Sequence, residues 1–183
     1  MRRETQKRRL EPGPADQSVD RLNNRIFFRL FQIGNTLQRQ TVKALGITTV
    51  QWAVLGALSR PTAAPGMTFG ELAEYLVVSR QNLDGVLQRL EREQLVERVA
   101  DAEDRRARRV RMTAAGRERW QGLQDKIGEF YDQATGGLGF DERMTLGHCL
   151  NRLLADLQTV EIDIADEMRF EKKAAVPRRR RKR

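Results

Sequence analysis

Cysteine and histidine are almost missing from this 183-residue chain; each occurs once, at Cys149 and His148. A lone cysteine cannot close an intrachain disulfide, and neither residue has the companions of a zinc site, so no metal or other cofactor is expected. There is no Gly-rich phosphate loop and no nucleophile–base pair at an identifiable spacing, so an enzyme is not expected either. Aromatic residues are scarce at 6%, and hydrophobic residues make up 39%. That is a lean core, and part of the apolar surface is expected to be covered by another subunit. No apolar run approaches the roughly 18–20 residues of a membrane span. Residues 1–9 are charged, with no apolar stretch behind them to make a secretory signal. The expectation is a cytoplasmic protein with no membrane partner.

The formal net charge is +9, but it is unevenly placed. Residues 1–9 contribute +4 and residues 178–183 contribute +6, which leaves −1 for residues 10–177. The body is close to neutral, so the overall charge is weak evidence for nucleic-acid binding. Either the tails hold DNA non-specifically or they only aid solubility. Local clustering says more: Arg98, Arg105, Arg106, Arg108, Arg109 and Arg111 fall close together.

Residues 1–17 carry charge and two prolines without periodicity and read as a flexible arm. Ser18 is a candidate N-cap for a long helix. Val19, Leu22, Ile26, Leu30, Ile33 and Leu37 repeat at intervals of three and four along it, and Gly46 stops it. Phe27, Phe28 and Phe31 widen the stripe, so this helix is expected to be buried on more than one side. Thr48 or Thr49 caps a short, nearly all-apolar helix ending at Ser59. Thr68 and Glu71 form a capping box for the next, which runs to Leu76. After a break at Val77-Val78, Ser79 caps a further helix in which Leu83, Val86, Leu87 and Leu90 face inward. Arg80, Gln81, Asp84, Gln88 and Glu91 face outward, flanked by Asn82 and Gly85. Gly85 in mid-helix costs about 1 kcal/mol against alanine. Close helix packing and close approach to a DNA backbone both explain it. Two β-like runs follow, Leu95–Val99 and Arg108–Met112, joined by a charged turn. Thr113 caps a helix of roughly residues 114–134, and a last apolar stripe from Leu146 to Ile164 ends near Lys173. Residues 174–183 read as a disordered basic tail.

Two capped helices followed by a cationic hairpin are the order of a winged helix-turn-helix. The fold class is mainly α with a small β-hairpin wing. Residues 18–46 and 113–173 are expected as dimerisation helices, and 47–112 as the DNA-binding lobe. A twofold dimer would set two recognition helices about 34–36 Å apart, matching a pseudo-palindrome.

The chain resembles the MarR family of bacterial transcriptional regulators over about residues 20–165. The resemblance is carried by Gly70-Glu-Leu-Ala, Val78-Ser-Arg-Gln-Asn-Leu, Leu90-Glu-Arg, Leu95-Val-Glu-Arg, Asp101-Ala-Glu-Asp-Arg-Arg-Ala and Met112-Thr-Ala-Ala-Gly116. The family's Asp-x-x-Asp-x-Arg wing is matched by Asp101, Asp104 and Arg106. Gln94 stands where the family usually has glycine. The resemblance implies an obligate homodimer with intertwined terminal helices on double-stranded DNA. It also implies a repressor, released by a small effector such as an aromatic carboxylate or its coenzyme A thioester, bound between the dimerisation helices and the lobe.

Ser79, Arg80, Gln81 and Asn82 begin the recognition helix, where free N–H groups suit a phosphate and where Gln, Asn and Arg can read bases. Arg105 or Arg106 would enter the minor groove, Arg108 is a further DNA-binding candidate, and Asp101 and Asp104 would shape the wing. Arg29 falls within about 20° of Leu22 on the helix wheel. It is either a structural ion pair or rim residue, or the receptor of an effector carboxylate walled by Phe28, Phe31 and Trp52. Cys149 is expected as a buried, inert thiol, and His148 as structural or pocket-lining. Two other functions fit the same sequence: a thiol-based redox-sensing repressor, and a non-specific nucleic-acid-binding protein.

Overall fold

A computed structural model describes residues 14–101 and 107–161. They form two compact units, Met1–Asp132 and Gln133–Arg183, considered separately. In the first unit, helix α1 (Pro14–Leu45) precedes α2 (Thr49–Leu58), and a short 3-10 turn leads to strand β1 (Met67–Thr68). Helices α3 (Phe69–Leu76) and α4 (Arg80–Arg92) follow, then strands β2 (Val96–Ala100) and β3 (Arg108–Met112), then α5 (Ala114–Gln121) and α6 (Gln124–Thr135). Helix α7 (Phe140–Gln158) lies in the second unit. The expected fold class is the observed one. No single helix among the described residues is long and apolar enough to cross a membrane.

The main core is built where α2, α3, α4 and the sheet turn their apolar faces together. Val54, Leu55, Leu72, Leu83, Leu87 and Leu90 are fully buried there, closed from below by Val96, Val110 and Met112. A second cluster joins Leu45, Ile47, Leu123 and Ile127, and the Trp120 ring packs against both clusters. The caps follow the sequence chemistry. Thr48, not Thr49, closes α2 in a capping box with Gln51. Thr68 and Glu71 do the same for α3, with Thr68 N–H donating to Glu71 Oε2 at 2.7 Å and Glu71 N–H donating to Thr68 Oγ1 at 3.2 Å.

The sheet holds a strand that the sequence pattern does not announce. It runs β1-β3-β2, with Met67 opposite Val110 and Thr68 opposite Arg109 on one side and Val96 opposite Met112 on the other. Two residues are too few for period-2 alternation to show.

Several element boundaries differ from the expected ones. Helix α1 starts at Pro14, not after Ser18; proline suits a first helical position because its missing N–H has no intrahelical partner there. Residues 14–17, placed in the arm by their composition, therefore belong to the helix. The single helix expected over 114–134 is two, broken where Gly122 caps α5 and its N–H bonds Glu118 O at 2.9 Å. Helix α7 ends at Gln158, capped by Thr159, well short of residue 173. The basic segments 1–13 and 162–183 lie outside the described residues.

Two non-glycine residues adopt left-handed backbone, Val77 at φ 52° and Gln94 at φ 58°. Val77 ends α3 and forms the sharp turn into α4; the hydrogen bond from Val78 N–H to Ala73 O, at 3.2 Å, holds it. Gln94 occupies the family's glycine position and keeps the turn glycine would make. The turn into β2 thus carries the steric cost of a Cβ in this region.

Candidate nucleic-acid interface

Ser79 sits just outside α4 with extended backbone, and its Oγ accepts the Asn82 N–H at 3.3 Å. Leu83, Leu87 and Leu90 pin the opposite face into the core. The first turn therefore stands in solvent: Ser79, Arg80, Gln81 and Asn82 are all exposed. The Arg80 guanidinium lies 6.0 Å from the Phe69 ring centroid, which steadies its stem beside the helix start. The side-chain amides of Gln81 and Asn82 have no hydrogen-bond partner among the described residues.

The outward residues of α4 are not equivalent. Arg98, on β2, reaches back to Asp84 at 3.3 Å and to Glu91 at 2.9 Å. Gln88 also donates to Asp84, at 2.7 Å. Asp84 and Glu91 are therefore half-buried against the wing strand, and the fully exposed line runs through Gln81, Asn82, Gly85, Gln88 and Arg92. Helix periodicity alone assigns both acids to the solvent face; the β2 arginine draws them aside.

The wing arginines divide in the same way. Arg109 pairs through Nε with Asp101, donates to the Gly66 carbonyl at 2.9 Å, and lies 3.5 Å from Glu71 Oε2. Asp101 is only 8% exposed, and its N–H donates to Ala107 O at 3.1 Å across the base of the wing. One guanidinium thus ties the wing to β1 and to the first turn of α3. Arg111 pairs with its cross-strand neighbour Glu97 at 2.8 Å. Arg98, Arg109 and Arg111 are structural in this sense, whereas Arg108 is exposed and makes no ion pair among the described residues. Asp104, Arg105 and Arg106 lie outside the described residues. The Glu71 carboxyl is held below the usual carboxylate range, chiefly by the Thr68 N–H bond; the Thr68 hydroxyl and Arg109 add to this, and partial desolvation opposes it.

Removing Asp101 takes the nearer carboxylate from a guanidinium held mostly away from solvent and leaves it only the more exposed Glu71. Asp101→Ala is expected to lower the unfolding free energy by about 3 kcal/mol. A urea midpoint unchanged from the parent would show that Glu71 replaces Asp101 without loss.

The residues considered for an effector are spread differently. Arg29 is exposed and donates to Gln32 Oε1, one turn along its own helix, at 2.8 Å. Phe28 and Phe31 are exposed, so burial of α1 on several sides is not found within the chain. The ring partners of Trp52 are Phe130, at 6.2 Å and edge-on, and Tyr131, at 5.8 Å. Desolvation in this cluster raises the Tyr131 phenol pKa. A separate cleft of about 290 Å³ lies between the end of α2 and the start of α5, lined by Leu58, Arg60, Ala63, Met112, Arg117 and Trp120 among others, and shares no residue with that set. Cys149, expected buried, is exposed, as is His148, because α7 has no buried residue within its own chain.

Sequence patterning missed Arg109 and Arg98 as organising residues. The signal was present as acids at positions 71, 84, 91 and 101, but which arginine meets which acid is a matter of strand register.

Comparison with known proteins bears on this geometry. The model of the MarR family matches residues 45–107. The transcriptional activatory protein BadR of Rhodopseudomonas palustris is 44% identical over 165 residues, covering 88% of this chain and 94% of the relative. The homoprotocatechuate degradative operon repressor of Escherichia coli is 30% identical over 117 residues, 64% of this chain and 77% of the relative. Among solved structures, a probable transcriptional regulator from Pseudomonas aeruginosa superposes with a TM-score of 0.65 at 28% identity, covering 72% of this chain and 98% of its own. A mutant MarR from E. coli complexed with operator DNA superposes with a TM-score of 0.61 at 27% identity, covering 72% of this chain and 92% of its own.

Proposed function

This chain belongs to the MarR family of transcriptional regulators, and from that premise we propose that it acts as a homodimer on a pseudo-palindromic operator under the control of a small aromatic acid or its coenzyme A thioester. The observation that carries the DNA-binding part is the exposed first turn of α4. There the Gln81 and Asn82 amides and the Arg80 guanidinium stand clear of the core, beside a wing strand whose Arg108 makes no ion pair among the described residues. Amide side chains suit adenine edges, arginine suits guanine, and the capped helix start suits a phosphate. Arg105 and Arg106, between β2 and β3 in the sequence, add two further positive charges to this segment.

The effector class is supported by the relative named for homoprotocatechuate degradation, since homoprotocatechuate is itself a ring-bearing carboxylic acid. Arg29 would receive the carboxylate, with Phe28, Phe31 and Trp52 as apolar wall. Control would work as a population shift, with effector favouring a spacing of recognition helices that no longer matches two successive grooves. One relative is named an activatory protein and another a repressor. Operator occupancy is common to both modes, and repression, the sense expected from the sequence, follows where the operator overlaps the promoter.

The test uses a duplex selected by the unaltered protein from a random library. Adding aromatic acids and their thioesters should release it, whereas aliphatic acids should not; release by neither class would overturn effector control. Arg106→Ala should weaken binding strongly and reduce the slope of log affinity against log salt by about one unit. An unchanged slope and affinity would remove Arg106 from the interface.

A further inference from the structure

Gly85 lies in the middle of the 13-residue helix α4, where glycine weakens the helix. A side chain built on it would meet nothing within 4 Å. Packing among the described residues therefore does not explain it, which speaks against one of the two readings the sequence left open. At about 100° per residue, Gln81, Asn82, Gln88, Arg89 and Arg92 all fall within about 60° of Gly85. It is the centre of the face the helix turns to solvent, opposite Leu83, Leu87 and Leu90.

We propose that Gly85 is the point where the recognition helix comes closest to the base edges of the major groove, and that its missing side chain determines specificity. This rests on the reading of α4 as the recognition helix. Base edges, not phosphates, follow from the neighbours. Gln81 and Asn82, one turn before Gly85, carry amides with base-reading chemistry and no hydrogen-bond partner among the described residues. The cation nearest on the following turn, Arg89, is spent on Glu93 at 3.0 Å. A phosphate facing Gly85 would call for a free cation beside it. The notch lets the helix settle deep enough for both amides to reach the groove floor.

Gly85→Ala separates stability from binding, because the two should move in opposite directions. In the full-length protein the melting temperature should rise by about 3 °C. Affinity for the selected duplex should fall at least about tenfold, while affinity for an unrelated duplex of equal length stays unchanged. A lower melting temperature would assign Gly85 a packing role and overturn the proposal. An equal loss on both duplexes would place the contact on the phosphate backbone, and an unchanged affinity on both would remove the contact; either overturns it. If the unaltered chain selected no duplex, the functional reading would fail and this inference with it.

Discussion

Gly116→Ala is expected to cost about 4 kcal/mol of stability, above the usual overpacking range of roughly 1–3 kcal/mol. A Cβ at this position would lie 1.9 Å from the Leu95 carbonyl oxygen and 2.9 Å from its carbon. The obstructing atoms are backbone, so no rotamer change relieves the clash. Nor can either segment retreat freely. Thr113 Oγ1 donates to Gln94 O at 2.6 Å, Thr113 N–H donates to Leu95 O at 3.1 Å, and Gly116 N–H donates to Thr113 Oγ1 at 2.9 Å. Val96, next along, is buried in the main core. The alanine must therefore break the α5 cap or shift the start of β2, and a domain of ordinary stability has about 5–15 kcal/mol in total. Urea unfolding at fixed protein concentration reads the effect. Gly122→Ala is the control: Gly122 has ordinary right-handed backbone, and its nearest Cβ neighbour is at 3.5 Å, so little change is expected. A Gly116→Ala midpoint as close to the parent's as that of Gly122→Ala would refute the clash.

Leu150→Glu is expected to raise the dimer dissociation constant at least about a thousandfold and to abolish operator binding. Helix α7 has no buried residue among those described, although Leu146, Leu150, Leu154 and Leu157 recur along it at helical spacing. Phe140 is 77% exposed, and on α1 Phe31 is 65% exposed. Such faces on two long helices are what the second copy of the proposed homodimer would cover. In a twofold interface each substitution counts twice, so two apolar contacts are lost and two carboxylates must be desolvated. Sedimentation at micromolar concentration separates monomer from dimer, and Arg152→Glu on the same helix controls for added charge. A dimer as tight as the parent's would show that this face is not the interface.

Much of the lobe was legible in the chain. The Thr68–Glu71 box, the Ser79 cap and the Leu83–Leu87–Leu90 stripe are local signals, because caps and helical faces involve residues three or four apart. The long exposed stripes were equally legible as surplus hydrophobicity. What was illegible involved distant partners or short elements. Strand β1 has two residues, and the break at Gly122 turns on backbone with no special conformation. The Arg109 tie reaches from position 66 to position 101, and the close approach of Gly116 to Leu95 spans a strand pair.

By itself the sequence determined the main helices and the two long wing strands, the family, and which turn of α4 would stand clear of the core. Periodicity and capping are short-range, and a stripe of leucines has one low-energy orientation. Only the tertiary structure decided which charges remain available. Register brings Arg98, Arg109 and Arg111 onto acids and gives Arg108 no ion pair among the described residues, so a cluster of similar residues in the chain becomes two groups. It also decided that no described residue packs on Gly85, because that depends on what surrounds one helix face rather than on any residue beside it in sequence.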